Sequence, residues 1–166
     1  MTAEAAAELV KLLEQNGLEV YVDGGWAVDA LLGLQTRAHQ DLDLALPHKH
    51  VAKLRNLLHR RGYREVTRAD SWECNFVLAD AGGNEVDVHS YTLDEAGNNI
   101  HGVEYKSEHL TGRGFINGYP VRCISPEWLV KFHSGYTLDA SDYHDVCALC
   151  ERFGIALPDE YRRFLR

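Results

Sequence analysis

Long apolar runs are missing from this chain of 166 residues. No stretch reaches the roughly 18 uninterrupted apolar residues that a membrane-spanning helix needs. The first residues also lack the basic start and apolar centre of a secretory signal, and they carry Glu4 and Glu8 instead. We therefore expect a cytoplasmic protein with no membrane partner. Its 45% hydrophobic and 25% charged residues are typical of an ordinary globular domain.

Basic residues are scarce relative to acidic ones. The chain has 17 Lys and Arg against 25 Asp and Glu, which leaves a formal net charge of −8 with histidine neutral. A surface of this charge repels phosphate backbones and attracts cations. The composition therefore argues against a nucleic-acid partner and favours a cationic small molecule.

Two nucleotide-binding motifs and a zinc motif are also absent. Neither GxxxxGK[ST] nor GxGxxG after a strand occurs, which excludes a P-loop kinase and a dinucleotide-dependent oxidoreductase. Of the four cysteines, only Cys147 and Cys150 lie close together, with His144 before them. A zinc site there lacks a fourth ligand and a second cysteine pair, so reduced and mostly buried thiols are the favoured interpretation.

The order of predicted elements indicates the fold class. Helices are predicted over 2–16, 24–33 and 47–62, and further helices begin near 125, at 139 or 141, and at 158. Strands are predicted over 18–23, 41–46, 63–67, 73–79, 84–91 and on both sides of Asn117-Gly118, with a loop over 94–99. This order predicts an α+β fold with a mixed β-sheet flanked by helices. We expect residues 1–124 to form the main domain and 125–166 a small helical carboxy-terminal region packed on it.

Two aspartates project from the strand predicted over 41–46. Asp41 and Asp43 are two residues apart, so they share one face of the strand while Leu42 and Leu44 enter the core. Like charges side by side destabilise a sheet unless something neutralises them, and carboxylate oxygens suit Mg²⁺. The alternative is an exposed strand face that carries acids by chance, and this motif alone leaves both open.

A later strand carries a third carboxylate with the same alternation. In Glu85-Val86-Asp87-Val88-His89 the valines form the core face, and Glu85, Asp87 and His89 share the other. If this strand lies beside 41–46, Asp87 joins the aspartate pair. A third carboxylate there can accept the proton of an attacking hydroxyl or complete a second metal site. Without the other features, Asp87 is a solvated hairpin residue.

Gly24-Gly25 stands between a predicted strand and a helix. Two glycines there allow a phosphate to approach backbone N–H groups at a helix N-terminus, although for this motif alone a tight turn is the favoured interpretation. Arg37 and His39 precede the aspartate pair, where cationic side chains could clamp phosphates. Alternatively, Arg37 pairs with Asp29 and fixes the loop.

Three segments carry a family resemblance: GGWAVDALLG, TRAHQDLDL and KFHSGYTLDASDYHDV, with YPVRCIS in addition. In these the chain resembles the lincosamide nucleotidyltransferases and the aminoglycoside 2''-nucleotidyltransferases of the DNA polymerase β-like nucleotidyltransferase superfamily. Trp26 stands where the wider superfamily has Ser or Thr after the glycine pair. The phosphate contact of that hydroxyl would then come from Arg37, His39 or Lys131.

The resemblance implies a nucleotidyltransferase fold and the transfer of AMP from ATP to a hydroxyl of a small-molecule antibiotic, with Mg²⁺ and release of pyrophosphate. It implies that Asp87 is the catalytic base and that Asp41, Asp43 and Asp87 hold the metal. The expected nucleotide contacts are Gly24, Gly25, Arg37, His39, Asp41, Asp43 and Lys131. The expected substrate contacts are Glu85, His89 and Tyr136.

The acceptor stays open between two antibiotic classes. The net charge of −8 suits a polycationic aminoglycoside, whereas the FHSGY segment suits a lincosamide, which we favour slightly. The family resemblance also leaves open that the protein forms a homodimer. Two other functions remain: a non-catalytic nucleotide- or drug-binding relative, and a nucleotidyltransferase that acts on a protein or RNA.

Overall fold

The computed structural model describes residues 1–134 and 137–161, so the predicted substrate contact Tyr136 lies outside the described residues. The described helices are α1 (Ala3–Gln15), α2 (Gly24–Leu32), α3 (Val51–Arg60), α4 (Pro126–Phe132) and α5 (Ala140–Phe153). The described strands are β1 (Tyr21–Val22), β2 (Asp41–Pro47), β3 (Arg64–Val66), β4 (Asn75–Ala79), β5 (Glu85–Leu93), β6 (Asn99–Gly102), β7 (Gly112–Ile116) and β8 (Tyr119–Cys123).

All the described strands join one mixed sheet in the order β3-β4-β5-β2-β1-β8-β7, with β6 paired to the end of β5. The pairs β2 with β5 and β1 with β8 are parallel, and the other pairs are antiparallel. Helices α4 and α5 both contact α2. The predicted α+β architecture, a mixed sheet flanked by helices, is confirmed. In the described part of the chain, no helix combines the length and apolar character needed to cross a bilayer.

The core explains why β2 and β5 form the centre of the sheet. Leu42, Leu44, Val86 and Val88 are fully buried, whereas the residues between them remain partly exposed. Because side chains alternate along a strand, burying the leucines and valines on one face places the acidic residues together on the other. The alternation predicted from the sequence is therefore realised on both strands.

The structure departs from the predicted elements in three places. The strand predicted over 18–23 shortens to Tyr21–Val22, and the helix predicted from Pro47 begins at Val51 after a 3-10 turn over His48–His50. The predicted loop 94–99 is shorter, because a strand that the sequence pattern did not indicate starts at Asn99. In that hairpin the Asp94 carboxylate accepts a hydrogen bond of 2.8 Å from the Asn98 N–H, which closes the turn.

Other boundaries agree with the sequence pattern. Asn117 and Gly118 both adopt positive φ, 48° and 76°, as the predicted tight hairpin between β7 and β8 requires. Asp139 caps α5 by accepting hydrogen bonds from two backbone N–H groups of its first turn. Of the helix predicted from Pro158, residues 159–161 form a 3-10 turn, and the remainder lies outside the described residues.

A glycine on β7 allows α2 to lie directly on the sheet. A Cβ atom added at Gly114 would overlap the backbone carbonyl of Ala30 in α2. Since backbone cannot turn aside as a side chain can, this position sets the distance between helix and sheet. It therefore also helps to position Gly24 and Gly25 at the start of α2.

We predict that Gly114→Ala destabilises the fold. The overlap forces α2 away from β7, at a cost of about 1–3 kcal/mol, and the melting temperature should fall by about 3–10 °C. Gly82→Ala is the matched control, because a Cβ there meets only side-chain atoms, of Asp80 at 3.2 Å and of Asn84 at 3.7 Å. Thermal unfolding of both variants checks this, and an unchanged melting temperature for Gly114→Ala would contradict the proposed packing.

Candidate active site

The acidic residues of β2 and β5 converge because the two strands pair in parallel. Asp43 lies opposite Asp87 in the ladder, and Asp41 lies opposite Glu85. Carboxylate oxygens of Asp43 and Asp87 and a ring nitrogen of His89 all lie within 4.8 Å of one another. The pairing of the two predicted strands therefore brings Asp43, Asp87 and His89 together.

Asp23 is a further carboxylate of this cluster that sequence reasoning missed. It is 8% exposed, caps α2 by accepting a 2.8 Å hydrogen bond from the Gly24 N–H, and also accepts one from the Tyr105 hydroxyl. Its own N–H donates to the Asp43 carbonyl at 2.9 Å. An aspartate before a helix usually signifies only a cap, so the sequence offers no signal for its second role.

The Asp43 carboxyl is strained electrostatically. Burial raises its pKa, and the charges of Asp41, Asp23 and Asp87 add to that effect against the opposing influence of His89. The result is a pKa of about 7, compared with an ordinary value of 3.8. A cation beside these carboxylates would remove much of the repulsion.

His89 supplies a positive charge beside these carboxylates. Burial alone would lower its pKa, but contact with Asp87 and the charges of Asp23 and Asp43 raise it to about 9. Its Nε2 lies 3.3 Å from Asp87 Oδ1, and its Nδ1 lies 3.3 Å from the Tyr105 hydroxyl. The Nε2 contact is not aligned as a hydrogen bond, so Asp87 Oδ1 stays buried without a hydrogen-bond partner among the described residues.

The glycine pair lies against side chains of the site. Gly24, with φ 56°, and Gly25 are the first two residues of α2 rather than an isolated turn. A Cβ at Gly24 would overlap the Asp43 carboxylate, and one at Gly25 would overlap the Arg37 guanidinium and the His39 ring. Only glycine fits this approach of helix N-terminus and carboxylate without a shift.

Arg37 makes a different ion pair from the one considered in the sequence analysis. Its Nε and Nη2 contact the carboxylate oxygens of Asp145 at 3.0 Å and 2.6 Å, and Asp145 is 1% exposed. The alternative prediction, that Arg37 pairs with Asp29, is wrong. Asp29 instead accepts hydrogen bonds from Thr36 at 2.6 Å and 3.0 Å and contacts His39. Arg37 therefore links its loop to α5 and keeps Nη2 beside Gly25.

His39 is buried and held on two sides. Its Nε2 lies 2.5 Å from Asp29 Oδ2, and its ring packs on Trp26 with centroids 4.4 Å apart. The opposite edge of the ring, with Nδ1, faces Gly25. Only this Nδ1 edge is in a position that agrees with the predicted phosphate contact.

Two other predicted residues have partners of their own. The Lys131 Nζ lies 3.9 Å from the centroid of the Trp128 ring, a cation–π contact on α4. Glu85, the first residue of β5, forms an ion pair with Arg68, with distances of 2.7 Å and 2.9 Å. Neither residue belongs to the group formed by Asp43, Asp87 and His89.

A cavity of about 630 Å³ adjoins the carboxylate cluster. Asp23 and His89 line both the cavity and the cluster. The remaining wall combines aromatic, polar and small or aliphatic residues: Trp72, Asn75, Gly102, Val103, Glu104, Tyr105 and Phe132. The end of β6 and the residues that follow it, 102–105, supply four of these residues.

We predict that Asp43→Asn stabilises the protein at pH 8 in a metal chelator. With a folded pKa of about 7 against 3.8, Asp43 keeps a proton that the unfolded chain releases, so its contribution to stability falls as pH rises from about 4 to 7. The cost is fully present above pH 7, and asparagine removes it.

His89 partly offsets this cost. Its raised pKa contributes stability that is complete below about pH 6.5 and is lost as pH rises through about 9. We therefore expect the melting temperature of Asp43→Asn to rise by only about 2–8 °C at pH 8, with little change at about pH 3, below both pKa values. Glu151→Gln, at an exposed carboxylate of α5, is the control. A lower melting temperature for Asp43→Asn at pH 8 would refute the strained cluster.

Comparison with known proteins places the chain in a family. A family model described as aminoglycoside-2''-adenylyltransferase matches residues 6–149. A lincosamide resistance protein of Staphylococcus haemolyticus is 30% identical over 145 residues, which cover 83% of this chain and 88% of that protein. A 2''-aminoglycoside nucleotidyltransferase of Escherichia coli is 31% identical over 124 residues, covering 74% and 67%.

Solved structures agree in fold. A lincosamide antibiotic adenylyltransferase with lincomycin bound superposes with a TM-score of 0.79 at 25% identity, covering 94% of this chain and 99% of that one. ANT(2'')-Ia in complex with adenylyl-2''-tobramycin superposes with a TM-score of 0.75 at 21% identity, covering 99% and 98%. The predicted nucleotidyltransferase fold and family resemblance are confirmed: this chain belongs to the aminoglycoside-2''-adenylyltransferase family.

Proposed function

We propose that the protein transfers AMP from ATP to a hydroxyl of a small-molecule antibiotic and releases pyrophosphate. One observation carries this proposal. The carboxylates of two adjacent parallel strands meet the N-terminus of α2 beside an open cavity. Nucleotidyl transfer depends chiefly on neutralising phosphate charge and on aligning two reactants, and such a site can do both.

We propose that Asp41, Asp43 and Asp87 hold Mg²⁺. Two observations support a divalent cation there: the raised pKa of Asp43, which burial and neighbouring carboxylates cause, and the buried Asp87 Oδ1, which has no hydrogen-bond partner among the described residues. Hard carboxylate oxygens are the donors that Mg²⁺ prefers. When bound, the ion supplies positive charge that offsets both the carboxylates and the triphosphate.

The start of α2 supports a phosphate contact. The first N–H groups of a helix have no partner within the helix, and the helix dipole favours an anion there. The Gly24 N–H donates to the Asp23 carboxylate and the Ala27 N–H donates to the Asp23 carbonyl, so Gly25 and Trp26 are the donors that we propose for phosphate. The Arg37 Nη2 and the His39 Nδ1 edge, both beside Gly25, add polar groups to the same surface.

Asp87 is the proposed base. Its carboxylate accepts the proton of the acceptor hydroxyl while the hydroxyl oxygen forms a bond to the α-phosphorus of ATP. The bond from that phosphorus to the bridging oxygen breaks, and pyrophosphate leaves with the electron pair. His89 lines the cavity and contacts Asp87, which supports its predicted role in acceptor binding.

We propose a lincosamide as the acceptor. Its single amine and its alkylated pyrrolidine ring suit a cavity that combines Trp72, Tyr105 and Phe132 with the acids Asp23 and Glu104. The lincosamide resistance protein of Staphylococcus haemolyticus also aligns with more of this chain than the Escherichia coli aminoglycoside enzyme does.

An aminoglycoside is the second candidate. The net charge of −8 and the two carboxylates on the cavity wall favour a polycation. The family model also carries the aminoglycoside name. The homodimer stays a prediction of the family resemblance.

Mass spectrometry of lincomycin, clindamycin, kanamycin and gentamicin after incubation with the protein, ATP and Mg²⁺ tests the proposal. We predict an added adenylyl group on the lincosamides. Asp87→Asn should lower turnover by at least about 100-fold, the typical contribution of a positioned base. Glu8→Gln, at an exposed carboxylate of α1, should retain full turnover.

Other outcomes identify the alternatives. Tight binding of ATP with Mg²⁺ but no adenylylated antibiotic would indicate a non-catalytic relative. Transfer of radioactive AMP to a macromolecule in a cell lysate would indicate a protein or RNA substrate. Near-normal turnover of a well-folded Asp87→Asn variant would show that Asp87 is not the base.

A further inference from the structure

A second group of metal-binding side chains lies apart from the carboxylate cluster. It consists of His48 in the turn after β2, Cys74 just before β4, and His101 in β6. One ligand atom from each of the three lies within 4.8 Å of the others. Glu73, the neighbour of Cys74, also reaches His101, with Oε1 3.1 Å from Nε2.

The distances in this group match tetrahedral coordination. Cys74 Sγ lies 3.4 Å from His48 Nδ1 and 3.5 Å from His101 Nε2. With Zn–S of about 2.3 Å and Zn–N of about 2.0–2.1 Å, neighbouring ligand atoms of a tetrahedral site are about 3.3–3.6 Å apart. The side chains therefore need little movement to share one ion.

The strand pattern separates this group from the active site. Ser90 on β5 contacts His48 Nδ1 at 2.9 Å and is fully buried, one residue beyond His89. Since successive side chains of a strand point to opposite faces, Ser90 and Cys74 lie on the face of the sheet away from His89 and Asp87. An ion bound to His48 Nδ1 would displace the Ser90 hydroxyl from that nitrogen.

One side of this group is buried in the protein and the other is exposed to solvent. Cys74 is fully buried, whereas the side chains of His101 and Glu73 are 48% and 66% exposed. A thiolate at the bottom, two imidazoles and a surface carboxylate form a donor set that suits a borderline-soft transition metal ion better than Mg²⁺.

A simpler interpretation is a buried cysteine that packs as a small apolar side chain. Such a thiol needs no polar neighbours. Cys74 instead faces a nitrogen of each of two imidazoles, at distances that suit ligands of one ion as well as weak hydrogen bonds. Three elements distant in sequence would have to place these atoms together by chance.

We propose that His48, Cys74 and His101, completed by the Glu73 carboxylate, bind one Zn²⁺ ion. The ion would connect the turn after β2, the segment before β4, and β6. That connection reaches the acceptor cavity, because the Trp72 ring contacts the His101 ring edge-on and both Trp72 and Gly102 line the cavity. The role of the ion is to hold this wall.

Titration with Co²⁺ after treatment with a chelator tests the site. A thiolate ligand gives a charge-transfer band in the near ultraviolet, and a tetrahedral site gives intense visible bands. We expect both to saturate at one equivalent and to disappear when Zn²⁺ is added. Cys74→Ser should abolish the charge-transfer band and weaken Zn²⁺ binding at least about 10-fold, measured by competition with a chromogenic chelator.

Control variants separate this site from the others. Cys147→Ser should retain the band, whereas its loss there would point to His144, Cys147 and Cys150. Asp43→Asn combined with Asp87→Asn should also retain the band, because those residues are not ligands of this ion. The exposed His101→Gln, which should keep the fold, is expected to weaken binding at least about 10-fold.

The proposal is refuted if no thiolate band forms at millimolar Co²⁺, or if the band survives Cys74→Ser or is lost in the aspartate double variant. Neither ATP nor an acceptor takes part in this measurement. A failure of the proposed adenylyl transfer would therefore leave the result unaffected.

Discussion

The site depends on repulsion between carboxylates that the main sheet forces together. In the parallel ladder of β2 and β5, Asp43 cannot leave Asp87 without breaking a register that buries Leu42, Leu44, Val86 and Val88. Burial of the apolar face thus offsets the repulsion between the carboxylates on the acidic face. Burial and the nearby carboxylates raise the Asp43 pKa to about 7, and the same charges favour the His89 proton. This repulsion is the observation that supports the proposed cation site.

The rest of the fold positions a helix N-terminus against that cluster. Gly114 lets α2 approach β7, and Gly24 lets its first turn approach the Asp43 carboxylate. Asp23 joins both features, since it caps the helix and hydrogen-bonds Tyr105 on the cavity wall. The buried Asp145 of α5 holds Arg37 through an ion pair. These contacts together place the N-terminus of α2, the carboxylates and the cavity next to one another.

Sequence reasoning succeeded where the governing signal is local. A period of two along β2 and β5 predicts which acids share a face, and glycines and caps predict the helix ends. It failed where contacts join distant residues: Arg37 and Asp145 are 108 positions apart, and Tyr105 and Asp23 are 82 apart. Sequence reasoning also missed the cluster of His48, Cys74 and His101. These residues are far apart in the sequence and lack the close ligand spacing that identifies zinc motifs. Strand β6 has only one strongly apolar residue, so it depends on pairing with β5 rather than on a pattern of its own.

Whether Asp43 and Asp87 hold a divalent ion is tested most directly by anomalous X-ray scattering. The crystals would be grown with Mn²⁺ and an ATP analogue that resists cleavage at the α-phosphate. We predict an anomalous peak in contact with carboxylate oxygens of both Asp43 and Asp87, close to the first turn of α2. An ion bound elsewhere, with those two carboxylates free of metal, would contradict it.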